Sequence, residues 1–222
     1  MIKRLLSYLV PIKVYETPSN TSTNLEVTWN NGKLVLDSKH TNYSHGSLEK
    51  VLKKGMQHIG YPTLKNVKST LLLGVAGGSA INLLRNEIQN KGTIIGVDID
   101  PKVIDIATTY FNLGEYQNFE MVVQDAQIYI AQNEQKFDFI LVDIFEDNVM
   151  PNFLFESKFI ENMKRAMSID CYILFNFMLL NDIENKLNTF TASFHTEDYK
   201  VTTLVNVEGF NKLVIVNKII RL

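Results

Sequence analysis

The residues of this chain with the clearest chemical potential are a glycine-rich turn and a series of carboxylates that follow it. The turn reads Gly74-Val75-Ala76-Gly77-Gly78-Ser79, and the acids are Asp98, Asp125, Asp143 and Glu146. Glycines let a backbone come close to a ligand. A carboxylate placed after them accepts hydrogen bonds from ribose hydroxyls. The spacing narrows the ligand further. A dinucleotide fingerprint needs glycine at the first, third and sixth positions of the turn, but here the third is Ala76 and the sixth is Ser79. That disfavours a nicotinamide or flavin cofactor. No Lys-Ser/Thr pair follows, so the turn is not a P-loop. A nucleoside without phosphates fits best, and the competing reading is a turn that only packs a helix against a sheet.

The elements that must position these residues can be read from the patterning. Leu71 to Leu73 is an apolar run too short for a helix and bounded by Gly74, which predicts a buried strand. Ile81, Leu83, Leu84 and Ile88 then recur at helical spacing, so the turn delivers the chain into an amphipathic helix. After Gly92, Thr93 to Val97 is a second β-branched run that ends on Asp98. Phe119 to Val123 predicts a third strand, ending in Gln124-Asp125-Ala126, and Phe137 to Val142 a fourth, ending in Asp143-Ile144-Phe145-Glu146-Asp147. Acids therefore sit at the carboxyl ends of three consecutive strands, where open α/β sheets bind ligands.

With these segments in view, the chain resembles the class I S-adenosylmethionine-dependent methyltransferase fold, and within it the spermidine synthase-like group. The resemblance covers residues 65 to 178 and is carried by the GVAGGS turn, the VDIDPKVI segment, the Asp125-Ala126 pair and the FDFILVDIFED stretch. It implies an α/β fold with a Rossmann-like, mostly parallel sheet, an antiparallel final hairpin and a small β-rich region at the N-terminus. It implies that Gly74, Ala76, Gly77, Gly78, Asp98, Ile99, Asp125 and Ala126 contact the cofactor. Asp98 would hold the ribose and Asp125 the adenine amino group, with Asp143 beside the methionine or amine portion. The cofactor would be S-adenosylmethionine or its decarboxylated form, with no metal. Members of the group often pair, so the resemblance allows a homodimer and leaves the oligomeric state open.

The acceptor end is read from Asp143 and Glu146 as the catalytic pair. An amine of ordinary basicity is protonated at neutral pH and must lose a proton before attacking a sulfonium-bound carbon. A carboxylate pair can bind the ammonium and take that proton or pass it to water. Spermidine synthases carry two acids here separated by two residues and followed by proline. This chain keeps the spacing, with Glu146 as the second acid, Ile144 and Phe145 between, and the proline displaced to Pro151. Glu146 is expected to have the more purely catalytic part, although a solvated acidic loop is the competing reading. Tyr43, His45 and Phe145 are the candidate acceptor contacts, and for His45 a loop histidine without a catalytic role competes. Where spermidine synthases present a tyrosine-glutamine pair, this chain has His45-Gly46. The expected function is an S-adenosylmethionine-type transferase acting on a small acceptor, with methyl transfer placed ahead of aminopropyl transfer. A catalytically silent nucleotide-binding scaffold is the reading from another class.

The remaining composition sets limits. At 222 residues the chain allows one sizeable domain, or one with an appendage. Residues 1–60 are read as a small β-rich region with a linking helix, and 61–222 as the nucleotide-binding domain. Leu25, Val27 and Trp29 alternate, and Asn31-Gly32 predicts a type I′ hairpin returning through Lys33 to Asp37. A helix led by Ser47 follows, with Leu48, Val51, Leu52 and Met56 on one face. Pro101 starts a helix whose buried face is Val103, Ile104, Ala107, Tyr110 and Phe111, and Gly114 is read as its end. Cys171 to Phe175 predicts a fifth strand, Leu179 to Phe194 a helix, and Tyr199 to Val207 with Leu213 to Val216 a final hairpin. A formal charge of −2 with scattered acids and bases gives no basic face for nucleic acid. The lone Cys171 fits a reducing compartment. The opening apolar stretch, Leu5 to Val10, is too short for a signal peptide and is broken by Pro11. A soluble cytoplasmic protein, off the membrane, is expected.

Overall fold

In the computed structural model, which describes residues 2–19, 24–38, 42–44, 47–146, 149–178, 183–209 and 211–219, the chain forms two sheets. The smaller is antiparallel, ordered β1-β2-β3-β4, from Ile12–Thr17, Leu25–Asn30, Lys33–Ser38 and Asn42–Ser44, with the short helix α1 (Ile2–Leu6) ahead of it. Asn31 and Gly32 both hold positive φ, 48° and 75°, so the predicted type I′ turn joins β2 to β3.

The larger sheet has seven strands in the order β10-β11-β9-β8-β5-β6-β7. Its parallel part comprises β5 (Ser69–Leu73), β6 (Thr93–Asp98), β7 (Phe119–Val123), β8 (Phe137–Val142) and β9 (Met167–Met178). The hairpin of β10 (Tyr199–Val207) and β11 (Asn211–Lys218) adds antiparallel to β9. Helices cover both faces, as a parallel sheet requires. One face carries α2 (Ser47–Ile59), α3 (Tyr61–Asn66) and α4 (Ser79–Asn82), which runs on into a π turn at Leu83–Glu87. Val51, Leu52, Met56, Leu64, Ile81 and Leu84 pack there on Leu72, Ile94, Phe139 and Leu141. The other face is covered by α6 (Ala126–Gln132), α7 (Ser157–Ala166) and α8 (Ile183–Ala192). Phe175, Phe177 and Phe190 fill it as a run of ring contacts and Phe159 packs edge-on to Phe153 in the same cluster, so these phenylalanines are core.

Between the two sheets lies α5 (Pro101–Phe111). Its Val103 and Ile106 pack on Leu25, Val27 and Leu36 of the small sheet, while Ala107 joins the large core. Several boundaries differ from the sequence expectation, two of them for reasons the structure shows. Helix α5 ends on Asn112 in the left-handed region (φ 55°), which asparagine tolerates through its short polar side chain; Gly114 falls in the following 3₁₀ turn, Leu113–Glu115. Strand β9 extends beyond Cys171–Phe175 at both ends, pairing with β8 at Met167 and with β11 along Tyr172 to Met178. Among the described residues no helix is long and apolar enough to cross a membrane.

Candidate active site

Strand order fixes where the site lies. From β5 the chain moves outward through β6 to β7, then returns to place β8 on the other side of β5. The crevice at such a switch point, beyond the carboxyl ends of the strands, is where open α/β sheets bind ligands. The glycine turn leaves β5 there and Asp143 leaves β8 beside it.

Gly74 makes that junction possible. It sits at φ 87°, and an added Cβ would collide with the carbonyl oxygen of Asp143. Backbone bonds also tie the strand tips: Asp143 N–H donates to Leu73 O at 2.9 Å between β8 and β5, and Gly74 N–H to Val97 O at 2.9 Å between β5 and β6. Ala76 holds a left-handed backbone, φ 47°, which costs roughly 1–2 kcal/mol for a residue with a side chain. Asp98 is what holds the turn in that shape. Its Oδ2 accepts from Val75 N–H at 3.1 Å and Ala76 N–H at 3.2 Å, and its Oδ1 accepts from Asp100 N–H at 3.1 Å. Burial pushes the Asp98 carboxyl above its ordinary value, and these three bonds oppose that rise. Gly78 has a different task from the one expected. At φ 80°, a Cβ on it would lie 2.5 Å from Leu113, so its bare face is turned into the protein and not toward a ligand.

The residues present fit an adenosyl group. Ile99 (51% exposed) and Val123 (53%), at the adjoining tips of β6 and β7, and Ile128 (49%), in the first turn of α6, are large apolar side chains left open, a surface suited to a flat base. Asp125 caps α6: its Oδ1 accepts from Gln127 N–H at 2.7 Å and Ile128 N–H at 3.1 Å, so Oδ2 stays outside the cap. Capping and adenine recognition are thus compatible. Ala126 follows at the helix start, buried against the core.

At the acceptor end, Asp143 and Glu146 part company. Asp143 is drawn inward, and its Oδ1 accepts from Asn176 Nδ2 at 2.9 Å. Burial lifts its carboxyl to about 6, with the Asn176 bond pulling the other way. Glu146 faces solvent, in a turn closed by reciprocal backbone bonds with Val149 at 2.9 and 3.0 Å. Ile144 and Phe145, between the acids, pack against the large core, so Phe145 is half-buried there. Tyr43 lies in β4, but its side chain is outside the described residues, and His45 falls outside them altogether.

Three residues went unread in the sequence. Asp100 caps α5, accepting from Lys102 N–H at 2.8 Å through Oδ1 and from the Ser19 hydroxyl through Oδ2. Its place before Pro101 was an available signal, because aspartate followed by proline is a helix start. Asn176, fully buried in β9, is a polar break in the apolar run Ile173-Leu174-Phe175-Asn176-Phe177. Asn211 donates through Nδ2 to Asn176 Oδ1 at 2.9 Å and has no local signature.

Known proteins resemble the chain in both sequence and fold. It is 34% identical to the polyamine aminopropyltransferase of Vibrio vulnificus over 101 residues, 44% of this chain and 33% of that protein. It is 26% identical to the probable polyamine aminopropyl transferase of Bifidobacterium longum over 123 residues, 55% of this chain and 27% of that protein. The chain thus matches a third or less of the length of these relatives. A spermidine synthase crystallised with the transition-state analogue AdoDATO superposes with a TM-score of 0.73 at 17% identity, covering 95% of this chain and 75% of that one. Human methyltransferase-like protein 13 in complex with SAH superposes at 0.65 and 18% identity, covering 79% of this chain and 83% of that one. These two likenesses establish the fold. The spermine/spermidine synthase domain matches residues 49–176, which take in the turn, Asp98, Asp125, Asp143 and Asn176, and with more than half its length inside that domain the chain belongs to the spermine/spermidine synthase family.

Proposed function

We propose that the chain is an aminopropyltransferase of the spermidine synthase type, moving an aminopropyl group from decarboxylated S-adenosylmethionine to an amine. The sequence reading places methyl transfer first. Membership of the spermine/spermidine synthase family and the activities for which the relatives are named favour the other order, while methyltransferases are matched by fold alone. The observation that carries the proposal is Asp143 at the switch point: a half-buried carboxylate, about 6 in pKa, between the glycine turn and the acceptor side.

In this reading Asp98 receives the ribose hydroxyls on the lone pairs its backbone bonds leave free, Asp125 receives the adenine amino group through Oδ2, and Ile99 lies against the base. The donor, when bound, supplies a sulfonium-activated carbon. Asp143 does the work at the other end. Ionised at neutral pH, it attracts an ammonium strongly, because a charge withdrawn from water is screened less. With its carboxyl lifted toward neutrality it is also a better proton acceptor than an ordinary aspartate. Once the proton has passed to Asp143 or on to water, the amine lone pair is free to form the new C–N bond as the C–S bond breaks. Holding the nitrogen in line, roughly 3–3.5 Å from the carbon, would supply most of the rate.

The departures at the acceptor end (His45-Gly46, Glu146 and the displaced Pro151) are the features that favour methyl transfer as a second reading. Calorimetric titration with S-adenosylmethionine, its decarboxylated form and methylthioadenosine separates the readings. Tighter binding of the decarboxylated donor is expected. Preference for the intact donor would turn the assignment to methyl transfer, and binding of none of the three would leave a silent scaffold.

A further inference from the structure

We propose that Asn176 and Asn211 are positioning residues for Asp143, an amide relay by which the C-terminal hairpin sets the orientation of the carboxylate toward the acceptor amine. The amine's part rests on the aminopropyltransferase reading; the relay itself does not.

Asn176 is fully buried between Phe175 and Phe177, so each of its polar atoms needs a protein partner. Its Nδ2 donates to Asp143 Oδ1 and its Oδ1 accepts from Asn211 Nδ2, both at 2.9 Å. Turned over, the amide would set oxygen against carboxylate oxygen and one NH₂ against the other, losing both bonds. Asn211 therefore fixes the polarity of Asn176, and Asn176 in turn occupies Oδ1 of Asp143 and leaves Oδ2 for a cation.

Asn211 is itself placed by register. It opens β11 opposite Met178 of β9 and Val207 of β10. A slip of one residue would send its side chain to the other face of the sheet. The rest of the surroundings do not duplicate the relay. The turn after β5 meets Asp143 through backbone atoms of Leu73 and Gly74. Glu146, on the same loop, faces water, and Lys212 beside Asn211 is engaged with Glu184. Among the described residues, Asn176 is the one side chain hydrogen-bonded to the Asp143 carboxylate.

The test reads the protein alone, without donor or acceptor, so a failure of aminopropyl transfer and a failure of the relay are separate results. Carboxyl carbon and side-chain amide nitrogen resonances are followed against pH, with Asp143 assigned through Asp143→Asn. The Asp143 midpoint is expected well above the ordinary range, where Asp37 and Asp98 are lifted by burial too, and the side-chain amides of both Asn176 and Asn211 should shift at the midpoint that Asp143→Asn removes. An Asn211 amide that ignores it overturns the proposal, and this measurement needs no variant in the relay to fold. In Asn211→Asp the new carboxylate accepts where an amide donated, so Asn176 turns over, and the Asp143 midpoint should rise by about one to two pH units. Asn211→Leu adds no charge and should move it the same way by less. An unmoved midpoint in Asn211→Leu, with only a lower melting temperature, would reduce Asn211 to packing and overturn the relay.

Discussion

Replacing Asp143 by asparagine should make the protein more stable and less active, with a pH dependence that identifies the cause. Burial lifts the Asp143 carboxyl from 3.8 to about 6 in the folded chain. The sign follows from proton binding. The folded state holds this proton more tightly than the unfolded state, so stability falls as pH rises between 3.8 and about 6, and the full cost is present above that window. Two pH units correspond to about 3 kcal/mol, an upper figure because water still reaches part of the group. The amide introduced by Asp143→Asn would keep a carbonyl oxygen for Asn176 Nδ2 and carry no charge. The variant should therefore gain on the wild type by ~1.4 kcal/mol between pH 5 and pH 8, since the remainder of the shift is already expressed by pH 5. Urea unfolding of both proteins across that range measures the difference, and every titration the two share cancels. A difference that stays flat with pH would mean that Asp143 ionises without a desolvation cost, and the account of its basicity would go with it. Turnover at pH 8 should meanwhile fall roughly 10²–10⁴-fold, as for loss of a positioned base.

Asp98→Ala should weaken nucleoside binding at least about tenfold by calorimetry; because the carboxylate also anchors Val75, Ala76 and Asp100, the variant should lose roughly 1–3 kcal/mol of stability, and an unchanged dissociation constant would remove the ribose role. Gly78→Val should unfold at markedly lower denaturant, since φ 80° and Leu113 both resist a side chain; a variant that keeps its stability and loses only binding would restore the ligand-facing role first expected of this glycine. Glu146→Gln should leave donor affinity unchanged and slow turnover less than Asp143→Asn does. The reverse order would make the exposed acid the base.

What the sequence made legible was local. The strand, turn, helix and strand from Ser69 to Asp98 are neighbours in the chain, and their patterning needs no distant partner to be read. The same holds for the type I′ turn at Asn31-Gly32 and the acids at the tips of β6, β7 and β8. The reading fails where a residue's task is set across the sheet. Gly78 reads as a ligand-facing glycine because its contact with Leu113, 35 positions on, leaves no trace in the turn itself. Asn176 and Asn211 escape notice for the same reason. An asparagine in a strand has no intrinsic signature, and only the register of β11 on β9 makes these two meet.

That distinction bears on how the two acids divide the work. By spacing alone Asp143 and Glu146 look like a matched pair, and the longer side chain is the better suited to reach a proton. The fold treats them unequally. Asp143 is constrained three ways: its N–H by Leu73, its carbonyl by the bare face of Gly74, and its carboxylate by Asn176. Each of these keeps the group in a position where burial raises the cost of its charge. Such a cost persists only when the surroundings over-determine it, and it clusters where strain serves chemistry. Glu146 is held by backbone bonds to Val149 that leave its side chain in water. A solvated acid on a turn can attract an approaching ammonium, but water screens it and its geometry is loose. On the proposed aminopropyltransferase reading, Glu146 recruits the amine and Asp143, fixed and desolvated, positions it and relieves it of its proton.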